Sequence, residues 1–444
     1  MTVSLPLYDL STPAGRKAWA ARLATLRQTV SASSTQAATV AGIVDDVRRE
    51  GDKALVRYMR RWTDPDFSVA RIRVSPQELA AAPKLVPAKL RSAIRNSIAH
   101  VRAYQKHIRP RDPAPVTIDG ARLGLRFVPV DSVGLTVPGG KAVLFSSLIM
   151  LAVPAIVAGV DPKRISVVNP PPDRRAGEPA RDLSPLVLAA CAMLGIDKVY
   201  RIGGAQAVAA LAYGTESVPP VDLIAGPGNV FVQLAKAQVS GVVGTDNGFY
   251  GPSEIVTIAD GSANPRRIAA DLIAQAEHDP GKCFLISWSR PVLAAILAQV
   301  ERQKAGRARL APIDRALTHE SAALLVHDEQ EALALADTLA AEHVNLAVRK
   351  PRQMLAKLRH GGEFFLGDQT PVASGDYYAG PSHCLPTGTT ARFASGVSVY
   401  TFLKRSGTVE YPRGMSAGTV AAIARLAEAE GLDAHAQSAR VRRS

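Results

Sequence analysis

VGLTVPGG at residues 133–140 is a short apolar run that ends in a proline–glycine turn, and the same pattern recurs along the chain. It returns in RISVVNP (164–170), KVYRIGG (198–204) and VDLIAGPGN (221–229), with alanine-rich, helix-like stretches between the runs. Repeated strand, glycine turn and helix predict a parallel sheet covered by helices. The rhythm resumes in EIVTIAD (254–260), CFLISWS (283–289) and AALLVHD (322–328). The sequence therefore predicts an α/β fold with two parallel-sheet units.

Working outward from these runs, we expect four parts in the 444-residue chain, which is too long for one compact core. Apolar positions at three- and four-residue spacing predict helices over 35–58 and 87–107. LGLRFVPV (123–130) is interpreted as the first run of the alternating series. The predicted parts are an N-terminal helical segment (1–29), a main α/β domain (30–135 and 253–390), a second α/β domain (136–252) and a C-terminal tail (391–444).

The tail contains a helix predicted over 419–430, which is too short to form a core alone. It must pack on its own chain or on a partner.

Composition is that of an ordinary globular protein, with 47% hydrophobic and 21% charged residues. No signal-peptide pattern and no run of about 20 apolar residues occurs, so we expect a cytoplasmic protein that does not cross a membrane. The net charge of +14 raises the hypothesis of a nucleotide- or nucleic-acid-binding protein. The basic residues are dispersed, however, and no stacking aromatics lie between them, which favours a solvated basic surface and no nucleic-acid partner.

Three cysteines, Cys191, Cys283 and Cys384, form no C-x-x-C pair and are odd in number. No disulfide framework is expected, which fits a reducing compartment. Cys191 and Cys283 lie in apolar runs and are interpreted as buried thiols. Cys384 follows His383 directly, so a nucleophile stays possible at that position.

Two polar clusters carry candidate chemistry in the second half of the chain. In LIAQAEHDP (272–280), Gln275 and His278 are three residues apart on a predicted helix, so both side chains would project from one face and could hold a metal. The alternative is a core histidine beside a surface glutamine. In AEHVNL (341–346), Glu342 and His343 would point to different atoms of a bound molecule, with histidine suited to proton transfer and the carboxylate to activating water.

Two further clusters follow towards the C-terminus. SGDYYAGPSH (374–383) places Asp376, Tyr377 and His383 in a turn-rich loop, which could also be a plain connector. EGLDAH (430–435) places Glu430 and His435 near the end of the chain, where a frayed terminus is the alternative. Taken together, glutamine, histidine, aspartate and histidine would supply a catalytic zinc site that leaves room for a substrate.

The glycine turns could receive phosphate oxygens at helix N-termini. None of them is a full G-x-G-x-x-G, since the pattern around Gly226 reads GPGNVF (226–231). The dinucleotide fingerprint is therefore incomplete, and the spacing of the glycines alone does not establish that the protein binds NAD.

Eight segments in order resemble the histidinol dehydrogenase family, from about residue 30 to residue 438. They are GGAQAVAALAYGTESVP (203–219), VDLIAGPGN (221–229), GPSEI (251–255), LIAQAEHDP (272–280), AEHVNL (341–346), SGDYYAGPSH (374–383), LPT (385–387) and EGLDAH (430–435). The resemblance implies two Rossmann-like domains, a homodimer that exchanges its small N- and C-terminal helical segments and shares its active sites, one zinc per subunit, and NAD. It implies four-electron oxidation of L-histidinol through histidinal to L-histidine, the last step of histidine biosynthesis.

The resemblance also implies roles for individual residues. Glu342 and His343 would be the catalytic pair, His343 taking protons and Glu342 activating the water that hydrates the aldehyde. The implied zinc ligands, which also contact substrate, are Gln275, His278, Asp376 and His435. Further substrate contacts, besides His343, are Ser253, His383 and Glu430. The implied NAD contacts are Thr136, Gln206 and Asn229.

This chain departs from the family pattern near the expected cofactor. Thr136 stands where a tyrosine is common, Leu144-Phe145 replace a frequent Tyr-Pro, and residues 247–250 replace a shorter apolar link. These changes keep open an alternative, an enzyme of the same fold that oxidises another amino or sulfonated primary alcohol with NAD and zinc.

Overall fold

The computed structural model describes residues 5–26, 34–139, 144–177, 182–246, 251–278 and 281–442. Within these ranges, none of the helices has both the length and the apolar character that crossing a bilayer requires.

Strands and helices alternate through most of the chain. The strands are β1 (Leu7–Asp9), β2 (Val116–Ile118), β3 (Ala121–Pro129), β4 (Val133–Thr136), β5 (Ile165–Val168), β6 (Lys198–Tyr200), β7 (Leu223–Ala225), β8 (Gly244–Thr245), β9 (Ser253–Ala259), β10 (Gly281–Ser287), β11 (Ala322–Leu325), β12 (His343–Ala347), β13 (Glu363–Leu366) and β14 (Leu403–Glu410). The helices are α1 (Pro13–Leu26), α2 (Ser34–Glu50), α3 (Asp52–Trp62), α4 (Pro76–Leu85), α5 (Ala88–Ile108), α6 (Phe145–Ala158), α7 (Pro185–Leu194), α8 (Gly204–Tyr213), α9 (Val230–Val239), α10 (Pro265–Ala276), α11 (Arg290–Lys304), α12 (Leu310–His319), α13 (Glu329–Leu339), α14 (Pro351–Leu355), α15 (Ala373–Tyr377), α16 (Ala417–Ala429) and α17 (Asp433–Arg440).

The first parallel sheet has five strands in the order β6-β5-β4-β7-β8. Its central strands are buried because helices cover both faces, α6 and α7 on one and α8 and α9 on the other. Such double coverage is what continuous apolar runs predict. The strand, glycine turn and helix pattern predicted for this unit is confirmed.

The second parallel sheet has six strands in the order β1-β11-β10-β9-β12-β13. One face packs on α10, α11 and α12, and the other on α1 and α13. The runs predicted around 254–328 thus form β9, β10 and β11. The prediction of only helix for residues 1–29 is incomplete. β1 is too short to show an alternating pattern, yet it pairs with β11.

The early helices pack differently from the predicted grouping of 30–135 with 253–390. The helices α2 and α3 pack on α8 and α9, and α4 and α5 pack on α6 and α7. All four therefore pack with the unit of the five-stranded sheet, outside the helices that cover it. An apolar face predicts that a helix packs against the rest of the protein, but it does not identify the sheet with which the helix packs. The helix predicted over 35–58 is also two helices, because Gly51 has φ 55° between α2 and α3.

A third sheet is antiparallel, in the order β14-β3-β2. LGLRFVPV was therefore wrongly placed in the parallel series, since β3 pairs along its length with β14 of the tail. This ladder attaches the tail to the body of its own chain. Beyond it, the predicted C-terminal helix is present as α16, which packs on α17. The exchange of terminal segments in a dimer stays a prediction.

Candidate active site

A cleft of about 670 Å³ lies between the two parallel sheets. On one side are the carboxyl ends of β4 and β7, the neighbouring strands where the five-stranded sheet reverses its strand order. This is the usual ligand position in an open parallel sheet. On the other side are residues at the amino ends of β9 and β12, including Ser253 and Glu342. The cleft thus joins the carboxyl edge of one sheet to the amino edge of the other.

The glycine turns line the five-stranded side of the cleft. Thr136 is buried, and its hydroxyl donates to the carbonyl of Pro227 at 3.0 Å. Gly226 has φ 121°, and a Cβ there would lie 2.4 Å from the Thr136 carbonyl oxygen, so only glycine lets the two segments approach this closely. Asn229 caps α9 by accepting from the backbone N–H groups of Phe231 and Val232. These contacts hold together the turns after β4 and β7 where they line the cleft.

The other residues expected near NAD differ in whether they line the cleft. The side chain of Gln206 lies beneath the cleft surface, 4% exposed, with Nε2 3.8 Å from the Met59 sulfur. It therefore does not line the cleft, although its neighbour Ala207 does. Leu144 lines the cleft and Phe145 begins α6. The unusual residues 247–250 lie outside the described residues.

Glu342 is held from the amino end of β9. Its Oε2 accepts from the Ser253 hydroxyl at 2.6 Å and from the Glu254 backbone N–H at 2.9 Å. Burial raises the pKa of Glu342 well above its usual range, although these two hydrogen bonds oppose that shift. A carboxylate at the cleft wall with a raised pKa is suited to accept a proton from water.

His343 begins β12 and lies just beneath the cleft, 2% exposed. Its Nδ1 is 3.1 Å from the Glu254 carbonyl oxygen, which accepts from the N–H of one tautomer. In that tautomer Nε2 is the free base, and it lies 3.8 Å from Asp376 Oδ1. Burial lowers the pKa of His343 to about 4, with Asp376 opposing the shift. The imidazole is therefore neutral near neutral pH and able to take a proton.

His383 connects the two sides of the cleft. Its Nδ1 is 2.7 Å from the Asp376 carbonyl oxygen, and its Nε2 is 2.9 Å from the Ser147 hydroxyl on α6. Ser147 is one of two serines at the start of the apolar helix α6, and no sequence pattern predicts this contact. Arg309, which lines the cleft and acts electrostatically on His278, likewise gives no signal in the sequence.

Two of the four expected metal ligands line the cleft. His278 and Asp376 line it, whereas Gln275 is buried at the end of α10. The predicted helix carries Gln275 but is shorter than expected, because α10 ends at Ala276 and His278 lies two residues beyond it. Within the described ranges, no three His, Cys, Asp or Glu side chains are grouped as a metal would require.

The other two expected site residues, Glu430 and His435, are exposed on the tail. Glu430 follows α16 and His435 lies in α17, and neither lines the cleft formed by the described residues.

A glycine-lined parallel sheet faces a buried histidine–glutamate pair across one cleft, an arrangement that suits an oxidoreductase of the nucleotide-dependent class. The family model described as histidinol dehydrogenase matches residues 26–443. Two proteins named histidinol dehydrogenase are similar to this chain. The protein from a Synechococcus species is 44% identical over 406 residues, which cover 91% of this chain and 92% of that protein. The protein from Gluconobacter oxydans is 43% identical over 405 residues, with 91% and 92% covered.

A solved structure agrees with these relatives. The crystal structure of histidinol dehydrogenase from Elizabethkingia anophelis matches with a TM-score of 0.89 and 30% identity, covering 100% of this chain and 98% of that one. The chain belongs to the histidinol dehydrogenase family, whose members are NAD-dependent oxidoreductases.

Proposed function

We propose that the protein oxidises L-histidinol to L-histidine in two NAD-dependent steps at one site, as the last reaction of histidine biosynthesis. The observation that carries the proposal is the placement of Glu342 and His343 at the amino end of β12, against the same cleft as the glycine turns. A four-electron oxidation needs one base for the alcohol proton and one group that activates water for the aldehyde. The pair supplies both.

The residues present fit a zinc ion. Gln275, His278 and Asp376 offer an amide oxygen, an imidazole nitrogen and a carboxylate, and two of them, His278 and Asp376, line the cleft. Only two of these three side chains are of the His, Cys, Asp and Glu types. They therefore do not form a group of three such side chains, although all three can donate to a metal. We propose His435 of the partner subunit as the fourth ligand of a tetrahedral site. When bound, zinc would act as a Lewis acid that anchors the substrate nitrogens and orients the alcohol carbon.

The chemical steps follow from the positions of the protein groups. His343 Nε2 takes the hydroxyl proton of histidinol as the carbinol hydride leaves to NAD, which gives histidinal, NADH and one proton. Glu342 then takes a proton from water as the water oxygen adds to the aldehyde carbon, and it returns this proton to the former carbonyl oxygen, which gives the neutral hydrate. The hydrate loses a second hydride to NAD and a proton to His343, which gives the carboxylic acid. Ser253 orients Glu342 for this step through its hydrogen bond to Oε2.

The cofactor is proposed to lie along the turns after β4 and β7, with Thr136 and Asn229 closest to it. The Gln206 contact expected from the sequence would act only through the backbone of α8, because the side chain is covered. We also propose a cytoplasmic homodimer, a location supported by the three cysteines, which are all free and buried.

Steady-state NADH production tests the proposal. Zinc-loaded protein should reduce NAD with L-histidinol, and elemental analysis should find one zinc per subunit. His278→Ala should lose zinc and activity together, whereas the control His327→Asn, at an exposed position, should keep both. NADH formed from another amino or sulfonated alcohol but not from histidinol would replace this substrate with that one.

A further inference from the structure

Residue 254 contacts both members of the catalytic pair through its backbone. The N–H of Glu254 donates to Glu342 Oε2 at 2.9 Å, and its carbonyl oxygen lies 3.1 Å from His343 Nδ1. One peptide segment thus orients the carboxylate and selects the tautomer of the imidazole. A small rotation of this segment would disturb both groups at once.

The side chain of Glu254 is anchored away from the cleft surface. It is 6% exposed, and its Oε2 accepts from the Gly388 N–H at 3.0 Å while its Oε1 lies 3.7 Å from Lys282 Nζ. Lys282, 9% exposed, sits beside it in register on β10. Its ammonium also donates to the Leu26 carbonyl oxygen at 3.1 Å, at the C-terminal end of α1. The pair therefore joins β9, β10, α1 and the segment after the cleft-lining Thr387.

A buried ion pair adds little net stability, because desolvation of both charges offsets their attraction. It does fix geometry, since each charged group requires its partner at a set distance. Burial raises the pKa of Glu254, and the ammonium of Lys282 and the Gly388 N–H oppose this shift. The pair lies directly behind the peptide that contacts Glu342 and His343. The geometry that it fixes therefore includes the position of that peptide.

We propose that Glu254 and Lys282 are positioning residues, which lock the backbone of residue 254 so that His343 keeps Nδ1 protonated and Nε2 free, and Glu342 keeps its orientation. This inference rests on the proposed catalytic roles of Glu342 and His343. It means that Lys282 and the end of α1 help to hold Glu342 and His343 in place, although both are distant from these residues in sequence.

The experiment compares three variants with the unaltered holoenzyme. Glu254→Gln and Lys282→Met each leave one buried charge without its partner and should lower the urea midpoint. The double variant Glu254→Gln/Lys282→Met removes both charges at similar volume and should recover the midpoint. Its kcat with histidinol should nevertheless fall at least tenfold, while KM for NAD changes less than twofold. Asp64→Asn, which breaks a buried ion pair with Arg71 and Arg174 in the other unit, is the matched control and should lower the midpoint without changing kcat.

A spectroscopic measurement separates this inference from the proposed function. In protein labelled with ¹⁵N-histidine, the His343 signals are identified by their loss in His343→Asn. The unaltered protein should show the single Nδ1–H tautomer, and the double variant should show a mixture of tautomers. A double variant with unchanged kcat and an unchanged His343 tautomer would overturn the inference. If the unaltered protein does not oxidise histidinol, the substrate proposal fails, whereas the tautomer comparison still decides the positioning role.

Discussion

Burial acts on Glu342 and His343 in opposite senses. It favours the neutral form of each group, so it raises the pKa of the carboxyl and lowers that of the imidazole. Near neutral pH the imidazole is thus uncharged, and the raised pKa of Glu342 makes its ionised form a stronger base than an exposed carboxylate. Sequence motifs identified both residues, but only the fold supplies the tautomer and the hydrogen bonds of Glu342 with Ser253 and Glu254.

The first prediction separates the two catalytic roles by half-reaction. His343→Asn should lower the rate with histidinol and the rate with histidinal by about 10²- to 10⁴-fold each, because both steps release a proton to this base. Glu342→Gln should lower the rate with histidinal by a similar factor and affect alcohol oxidation much less. The measurement is single-turnover NADH formation with each substrate. Equal losses on both substrates for Glu342→Gln would contradict the division of roles.

The second prediction concerns the hydroxyl of Thr136, which donates to the Pro227 carbonyl at the turn after β7. Thr136→Val keeps the shape and removes a hydrogen bond worth about 0.5–1.5 kcal/mol, so KM for NAD should rise roughly two- to tenfold with little change in kcat. Thr136→Ser, which keeps the hydroxyl, is the control. An unchanged KM in the valine variant would mean that this contact does not order the cofactor turn.

At the scale of elements, apolar runs with glycine turns predict the parallel strands well, because strands buried on both faces must be continuously apolar. The same signal fails for β3, an apolar run that pairs with a strand about 280 residues later in an antiparallel sheet. It fails for β1, whose three residues are too few for a pattern. Which sheet covers a helix is decided by tertiary packing, so α2 to α5 could not be assigned from periodicity.

The third prediction tests how α9 and the end of β8 support the turn after β7. Asp246 Oδ2 accepts from the Gly226 N–H at 2.7 Å, and Lys236, which pairs with Asp246, donates to the Gly226 carbonyl at 3.1 Å. Asp246→Asn should lower the free energy of unfolding by about 3 kcal/mol, because it breaks a buried ion pair, and should raise KM for NAD.

Urea titration and NADH kinetics measure these two effects. Asp197→Asn breaks an exposed pair with Lys163 in the same unit and should change stability by less than about 1 kcal/mol. Similar midpoints for the two variants would show that the buried pair does not hold the turn.

At the scale of the whole molecule, the cleft brings together residues about 240 positions apart, from Thr136 on one sheet to Asp376 near the other. Sequence motifs predicted most of this set because each is locally distinctive. They could not predict that Gln206 is covered or that Ser147 reaches His383, since both depend on how two sheets face each other. Glu430 and His435 are exposed and do not line the cleft within one chain, so their predicted part in the site stays a prediction.

The fourth prediction tests whether the tail serves the partner subunit. Co-expressed His343→Asn and His435→Asn chains form mixed dimers in which one site has an intact body and an intact borrowed tail. Random pairing should restore roughly a quarter of the sites of the unaltered protein in an isologous dimer. If each tail served its own chain, every site would lack one residue, and mixtures no more active than the separate variants would rule out the exchange.

The count of NADH formed per molecule of L-histidinol consumed tests the central claim most directly. Limiting histidinol is incubated with zinc-loaded protein and excess NAD, and NADH is read at completion together with the product. Two NADH per histidinol, with histidine as the product, are predicted, because one cleft holds both the proposed base and the carboxylate proposed to activate water. One NADH per histidinol with accumulated histidinal, or no NADH from histidinol at all, would contradict the account.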